Sequence, residues 1–229
     1  MAVVTSSPAR RFDALVFDFG GPVLLTGHEL VGAFERRIGV PPGTYPRRGP
    51  FDPAGDRPWR RQQAGEITEP EYWRGYAAEV VGGSDVRALM RALYDLPESE
   101  LIRPEARAVL EAAQRAGLRT GVLTNDLALF HHRAWIERNE FLHAVDTVVD
   151  CSVTGVLKPD PGSYETIARE LDVTLTRIVF VDDQPRNVSG ARAVGITAVQ
   201  FDVTRPAESY RELADLAGLP FHAREHSHH

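Results

Sequence analysis

The residues best suited to chemistry fall directly after apolar runs. Asp18 follows Ala14 to Phe17, Thr124 and Asn125 follow Thr120 to Leu123, and Asp182 and Asp183 follow Ile178 to Val181. Lys158 stands by itself in the segment Gly155-Val156-Leu157-Lys158-Pro159-Asp160. If those runs are strands of one parallel sheet, three carboxylates, a hydroxyl, an amide and an ammonium gather at one mouth. Three anions so placed raise one another's pKa unless a cation compensates. A hard divalent ion with oxygen ligands, Mg2+ above all, meets that need. A carboxylate kept ionised beside Mg2+ and Lys158 can attack an electrophile and form a covalent acyl-type intermediate.

Such a mouth requires strands that alternate with helices. Ala14 to Phe17, Thr120 to Leu123, Val145 to Val149, Ile178 to Val181 and Thr197 to Phe201 are short apolar runs bounded by turn residues, as buried parallel strands are. Between them, Pro104 to Ala116, Pro161 to Leu171 and Val188 to Val194 carry the i, i+3, i+4 spacing of helices. The order predicts an α/β fold with a doubly wound parallel sheet. From Gly27 to Ser99 no buried strand is legible. Leu30 to Ile38, Glu69 to Val81 and Asp85 to Leu96 read as amphipathic helices, and Val40 to Pro58 as a long loop rich in Pro, Gly and Arg. The chain therefore divides into an α/β core, 10–26 and 100–220, a helical cap, 27–99, inserted after the first strand, and a His-rich tail, 221–229, read as disordered.

Composition narrows the class further. Hydrophobic residues at 43% and charged residues at 25% suit a globular protein with a real core. Lys and Arg number 26 against 32 Asp and Glu, a net charge of -6, which speaks against nucleic acid or an anionic membrane as partner. No stretch approaches the ~20 apolar residues of a spanning helix. A single cysteine, Cys151, offers no disulfide or thiolate zinc site and suits a reducing cytoplasm. It reads as a small packing residue, in a chain expected to be a monomer or homodimer.

Asp18-Phe-Gly-Gly, Thr124-Asn125, Lys158-Pro159 and Asp182-Asp183, in that order, resemble the four signature motifs of the haloacid dehalogenase superfamily, whose members are mostly phosphatases. The resemblance runs from about Ala14 to Phe201 and includes the small helical cap. It implies that Asp18 accepts a phosphoryl group from a small phosphorylated substrate. Asp18, the Gly20 carbonyl and Asp182 or Asp183 would hold Mg2+. Thr124 would bond a phosphoryl oxygen with Asn125 nearby, Lys158 would neutralise charge, and Asn187 would anchor the metal-binding loop.

One position departs from that pattern. Phosphatases of this kind carry a second aspartate two residues after the nucleophile, to protonate the leaving group and later activate water; Gly20 stands there instead. General acid-base catalysis contributes about 10²- to 10⁴-fold, so the gap matters. A dehalogenase-type hydrolase is a second reading, because those members also lack the acid and Arg60, in Trp59-Arg60-Arg61-Gln62-Gln63, loosely resembles their anion-binding arginine. A catalytically weak binding or scaffold domain is a third. His131, His132, Asp126 and a metal-bound water are candidates for the missing acid, although surface roles suit both histidines better. Arg47, Arg48, Arg60 and Arg61 read first as solvated loop residues and second as ligands of a substrate anion, and Trp59, Tyr72 and Trp73 as packing of the cap.

Overall fold

The computed structural model describes residues 10–221. Its elements run in the order β1 (Ala14–Phe17), α1 (Gly27–Ile38), α2 (Arg57–Gln63), α3 (Glu69–Val80), α4 (Val86–Leu93), α5 (Glu98–Leu101), α6 (Pro104–Arg115) and β2 (Arg119–Thr124). Then follow α7 (Leu127–Phe130), α8 (Arg133–Ile136), α9 (Glu140–Ala144), β3 (Thr147–Asp150), α10 (Cys151–Thr154), α11 (Pro161–Glu170), β4 (Ile178–Asp182), α12 (Pro185–Ala193), β5 (Thr197–Gln200) and α13 (Pro206–Ala217). The five strands form one parallel sheet in the order β3-β2-β1-β4-β5.

Strand alternation sorts the core onto two faces. Leu15, Phe17, Val179 and Val181 pack with Ala106, Val109 and Leu110 of α6 and with Tyr210 and Leu213 of α13. Ala14, Val16, Ile178 and Phe180 point the other way, onto Tyr164 and Ile167 of α11 and Val188 and Ala191 of α12. β1 is central, and the chain proceeds to β2 on one side and β4 on the other. The carboxyl ends of β1 and β4 therefore flank the crevice where ligands of such sheets bind.

The helical cap after β1 comprises α1 to α4. Thr26 and Glu29 close a capping box that starts α1 three residues earlier than its apolar spacing suggests. The stretch expected to be a loop, Val40 to Pro58, contains a 3-10 turn over Gly49–Phe51 and already includes the first turn of α2. That helix, hidden in a run of polar residues, is started by Asp56, whose carboxylate accepts from the Trp59 amide. Tyr72 donates to Asp56 at 2.8 Å and bonds His28 Nε2 at 2.9 Å, so α1, α2 and α3 share one buried polar link. Tyr72 and Trp73 are buried in the cap, as the sequence suggests. Arg47, expected in solvent, is buried against the Tyr72 and Tyr76 rings and paired with Glu79.

Helix α13 was not expected; its signal was Pro206 at the first turn, followed by Ser209, Tyr210, Leu213 and Ala214 on one face. The short helices α7 to α9 likewise lack the length that makes periodicity visible. Among the described residues no helix is long and apolar enough to cross a membrane. Phe221, read as the start of a disordered tail, packs on Tyr210 with ring centroids 6.2 Å apart, and His222 to His229 lie outside the described residues.

Candidate active site

The site is built on strand ends. Asp18 extends the β1 ladder by one bond, its amide donating to Val181 O at 2.8 Å, so its carboxylate is held directly beside the end of β4. Lys158 comes from the loop between α10 and α11. Its ammonium donates to Asp18 Oδ1 at 2.7 Å, Asp182 Oδ2 at 2.7 Å and Leu123 O at 2.8 Å, linking the ends of β1, β2 and β4. Lys158 and Asp182 are fully buried and Asp18 nearly so.

Charge in this space is unbalanced. Carboxylate oxygens of Asp18, Asp182 and Asp183 lie within 4.8 Å of one another, with one ammonium among them. Burial pushes Asp18 up to about 7, against the pull of Lys158 and with a push from Asp182. Burial raises Asp183 well above the usual carboxylate range, and the charges of Asp182 and Asp18 add to it. Lys158 moves upward: burial opposes its charge, but Asp18 and Asp182 outweigh that. Such a donor set, three carboxylates with an excess of negative charge, fits a hard divalent cation.

The two aspartates at the end of β4 are not equivalent. Asp182 accepts from Lys158, from the Asn187 amide at 3.1 and 3.0 Å, and from Gln184 N at 2.8 Å. Asp183 accepts only a 3.2 Å contact from the Gln184 side chain, and its carboxyl lies over Gly21. Asp182 is thus the anchor of Lys158, whereas Asp183 has the freer oxygens.

A family model described as haloacid dehalogenase-like hydrolase matches residues 12–195. The chain belongs to that family. This hydrolase is similar to a Mus musculus protein named Acyl-CoA dehydrogenase family member 10, with 28% identity over 224 residues that take in 95% of this chain and 20% of the mouse protein. It is 37% identical over 123 residues to Phosphatase MT3486 of Mycobacterium tuberculosis, covering 50% of this chain and 57% of that one. The chain spans less than two thirds of either relative. In fold it resembles L-2-haloacid dehalogenase from Xanthobacter autotrophicus with chloropropionic acid covalently bound, at a TM-score of 0.55 and 22% identity over 83% of this chain and 77% of that one.

Asp18, Gly20, Thr124, Asn125, Lys158 and Asp183 of the hydrolase all line one cavity of about 100 Å³ under the cap. The Thr124 hydroxyl has no hydrogen-bond partner among the described residues, and so is available to a ligand. Asn125 is differently employed. Its amide donates to Lys158 O at 3.1 Å and its oxygen accepts from Lys158 N at 2.8 Å, so it holds the lysine loop. Arg60 is not in the site: it is exposed, and its guanidinium donates to Pro53 O and Ala54 O within the cap. Nothing in its sequence surroundings distinguished an arginine that closes a local turn from one that binds an anion.

The candidates for the missing acid also separate. His131 is buried, stacked on Trp135 at 4.0 Å between centroids, and burial drives it down to about 3, so it carries no proton near neutral pH. His132 accepts from Trp135 N as the cap of α8 and does not line the cavity. Asp126 does line it, and burial, aided by Glu69 and Asp18, pushes it up to about 8. Two residues were missed by the sequence reading. Glu69, at the first turn of α3, brings a cap carboxyl into the cavity, and burial raises it too. Arg103 donates to Gly21 O at 2.6 Å and to both Glu29 oxygens, at 2.9 and 2.8 Å, tying the loop after Asp18 to the first helix of the cap. Both are single charged residues at helix starts, where surface charges are ordinary, so no sequence signal separated them.

Proposed function

We propose that this hydrolase is a Mg2+-dependent phosphatase acting on a small phosphorylated molecule in the cytoplasm. The observation that carries the reading is Lys158, whose ammonium sits 2.7 Å from both Asp18 and Asp182 beside the free hydroxyl of Thr124. One oxygen of Asp18 is thereby fixed, leaving the other to face the phosphorus, while Lys158 and Thr124 receive charge on the phosphoryl oxygens. Asp18, the Gly20 carbonyl and Asp183 would hold Mg2+, which when bound supplies a Lewis-acid charge for the phosphoryl group. Asp182 and Asn187 keep Lys158 in place.

Asp18 attacks phosphorus as the bond to the alcohol oxygen breaks, giving an aspartyl phosphate. Asp126 gives its proton to that departing oxygen. Water then attacks the phosphorus, Asp126 takes the proton back, and Asp18 is released with free phosphate. The dehalogenase reading loses its main support, because Arg60 is committed to the cap loop. With acetyl phosphate as substrate, phosphate release should depend on Mg2+, stop on chelation by EDTA, and fall by at least about 10³-fold in Asp18→Asn, whose melting temperature should stay near that of the parent. Activity that survives chelation, with halide release from 2-haloacids, would overturn the reading.

A further inference from the structure

Above its charged floor, the cavity changes character. The walls facing the mouth are Trp59, Trp73 and Met90 from the cap and Phe130 from the core, with Tyr94 between them. Of their polar atoms, those of Tyr94 and Trp73 are already committed to the protein. The Tyr94 hydroxyl donates to Leu25 O at 2.7 Å, and Trp73 Nε1 donates to Glu69 at 3.3 Å. The Thr26 hydroxyl bonds Glu29, His28 Nε2 bonds Tyr72, and His131 is held neutral flat on Trp135. Glu69 and Asp126 also line the cavity, and their upward shift through burial reports how poorly water screens the space. A substrate whose organic part carries several hydroxyls would lose its hydrogen bonds to water here and find few in return. A hydrocarbon would lose none, and would gain contact with flat aromatic surface.

We propose that the organic part of the substrate is an apolar group, aryl or branched unsaturated hydrocarbon, rather than a sugar, polyol or amino acid. The proposal rests on the phosphatase reading above, and the test separates the two. Rates with Mg2+ are measured for benzyl phosphate and 3-methylbut-2-enyl phosphate, for glycerol 3-phosphate, glucose 6-phosphate and phosphoserine, and for acetyl phosphate as a probe of the chemistry alone. The apolar esters should exceed the polar ones by about 10²-fold in kcat/KM, mostly through KM. Phe130→Gln, a partly exposed position, should cut the preference for benzyl over glycerol phosphate at least about fivefold. Hydrolysis of acetyl phosphate with equal kcat/KM for the two groups, or with the polar esters ahead, would overturn the proposal and leave the phosphatase reading standing. Failure on every ester and on acetyl phosphate would overturn both.

Discussion

A Cβ added to Gly21 would stand 3.0 Å from Cγ of Asp183 and 3.1 Å from its Oδ2. The bare backbone of the loop after Asp18 is therefore what lets Asp183 lean toward the nucleophile. Gly21 also holds φ at +91°, a region that side chains avoid. Gly21→Ala should cost about 1–3 kcal/mol in stability and displace Asp183. Thermal melts and the Mg2+ concentration at half-maximal rate check both effects; the latter should rise at least about tenfold.

Among the described residues Lys158 is the one cation paired with Asp18 and Asp182, both buried. Lys158→Met leaves Asp18 and Asp182 facing each other uncompensated, which should cost about 3–5 kcal/mol near pH 8. The sign of the pH effect is definite. Without the ammonium Asp18 binds a proton more readily in the folded state, so the loss should shrink as pH falls toward 5. Urea unfolding of parent and variant at the two pH values measures it.

Asp126 and Gly20 define the proton path. Asp126→Asn should slow simple alkyl phosphates by about 10²-fold and aryl phosphates much less, because a good leaving group departs without a proton. In the parent enzyme the protonated form of Asp126 is the working one, so alkyl ester hydrolysis should decline as pH rises through about 8. A Cβ at Gly20 meets nothing within 4 Å, so Gly20→Asp brings no clash at its first side-chain atom. That variant should recover alkyl rates in the Asp126→Asn background. A series of esters of graded alcohol pKa gives the slopes.

Two buried histidines make the fold sensitive to acid. Burial holds His28 down to about 4 and His131 down to about 3, while an unfolded imidazole titrates near about 6.5. The unfolded chain therefore takes up protons first as pH falls, and stability should decline from about pH 6.5 until it levels near the folded values. Each histidine contributes a slope of roughly 1.4 kcal/mol per pH unit within that window. Denaturant titrations between pH 7.5 and 5 follow it, and His131→Phe, which keeps the stack on Trp135, should flatten the curve.

The strands and the placing of Asp18, Thr124 and Asp182 at one mouth were legible in the sequence, because a parallel strand buried on both faces must be short, apolar and followed by a turn, whereas Lys158, on a loop, was legible only through its motif. A polar residue at its carboxyl end then has few places to point. Helix positions were legible wherever an apolar stripe was long enough, as in α3, α6 and α11. Hydrogen bonding within polar stretches is local in cause but not in pattern, so α2 and the arginine-to-carbonyl bonds of Arg60 were not readable. Only the folded chain decided which of Asp182 and Asp183 keeps free oxygens, because that depends on Asn187 and Lys158 arriving from elsewhere. It alone also turned Arg103 into the clamp between Gly21 and Glu29, and gathered Trp59, Trp73, Tyr94 and Phe130 around one cavity. These are relations between residues far apart in the chain, set by packing, and no spacing along one segment records them.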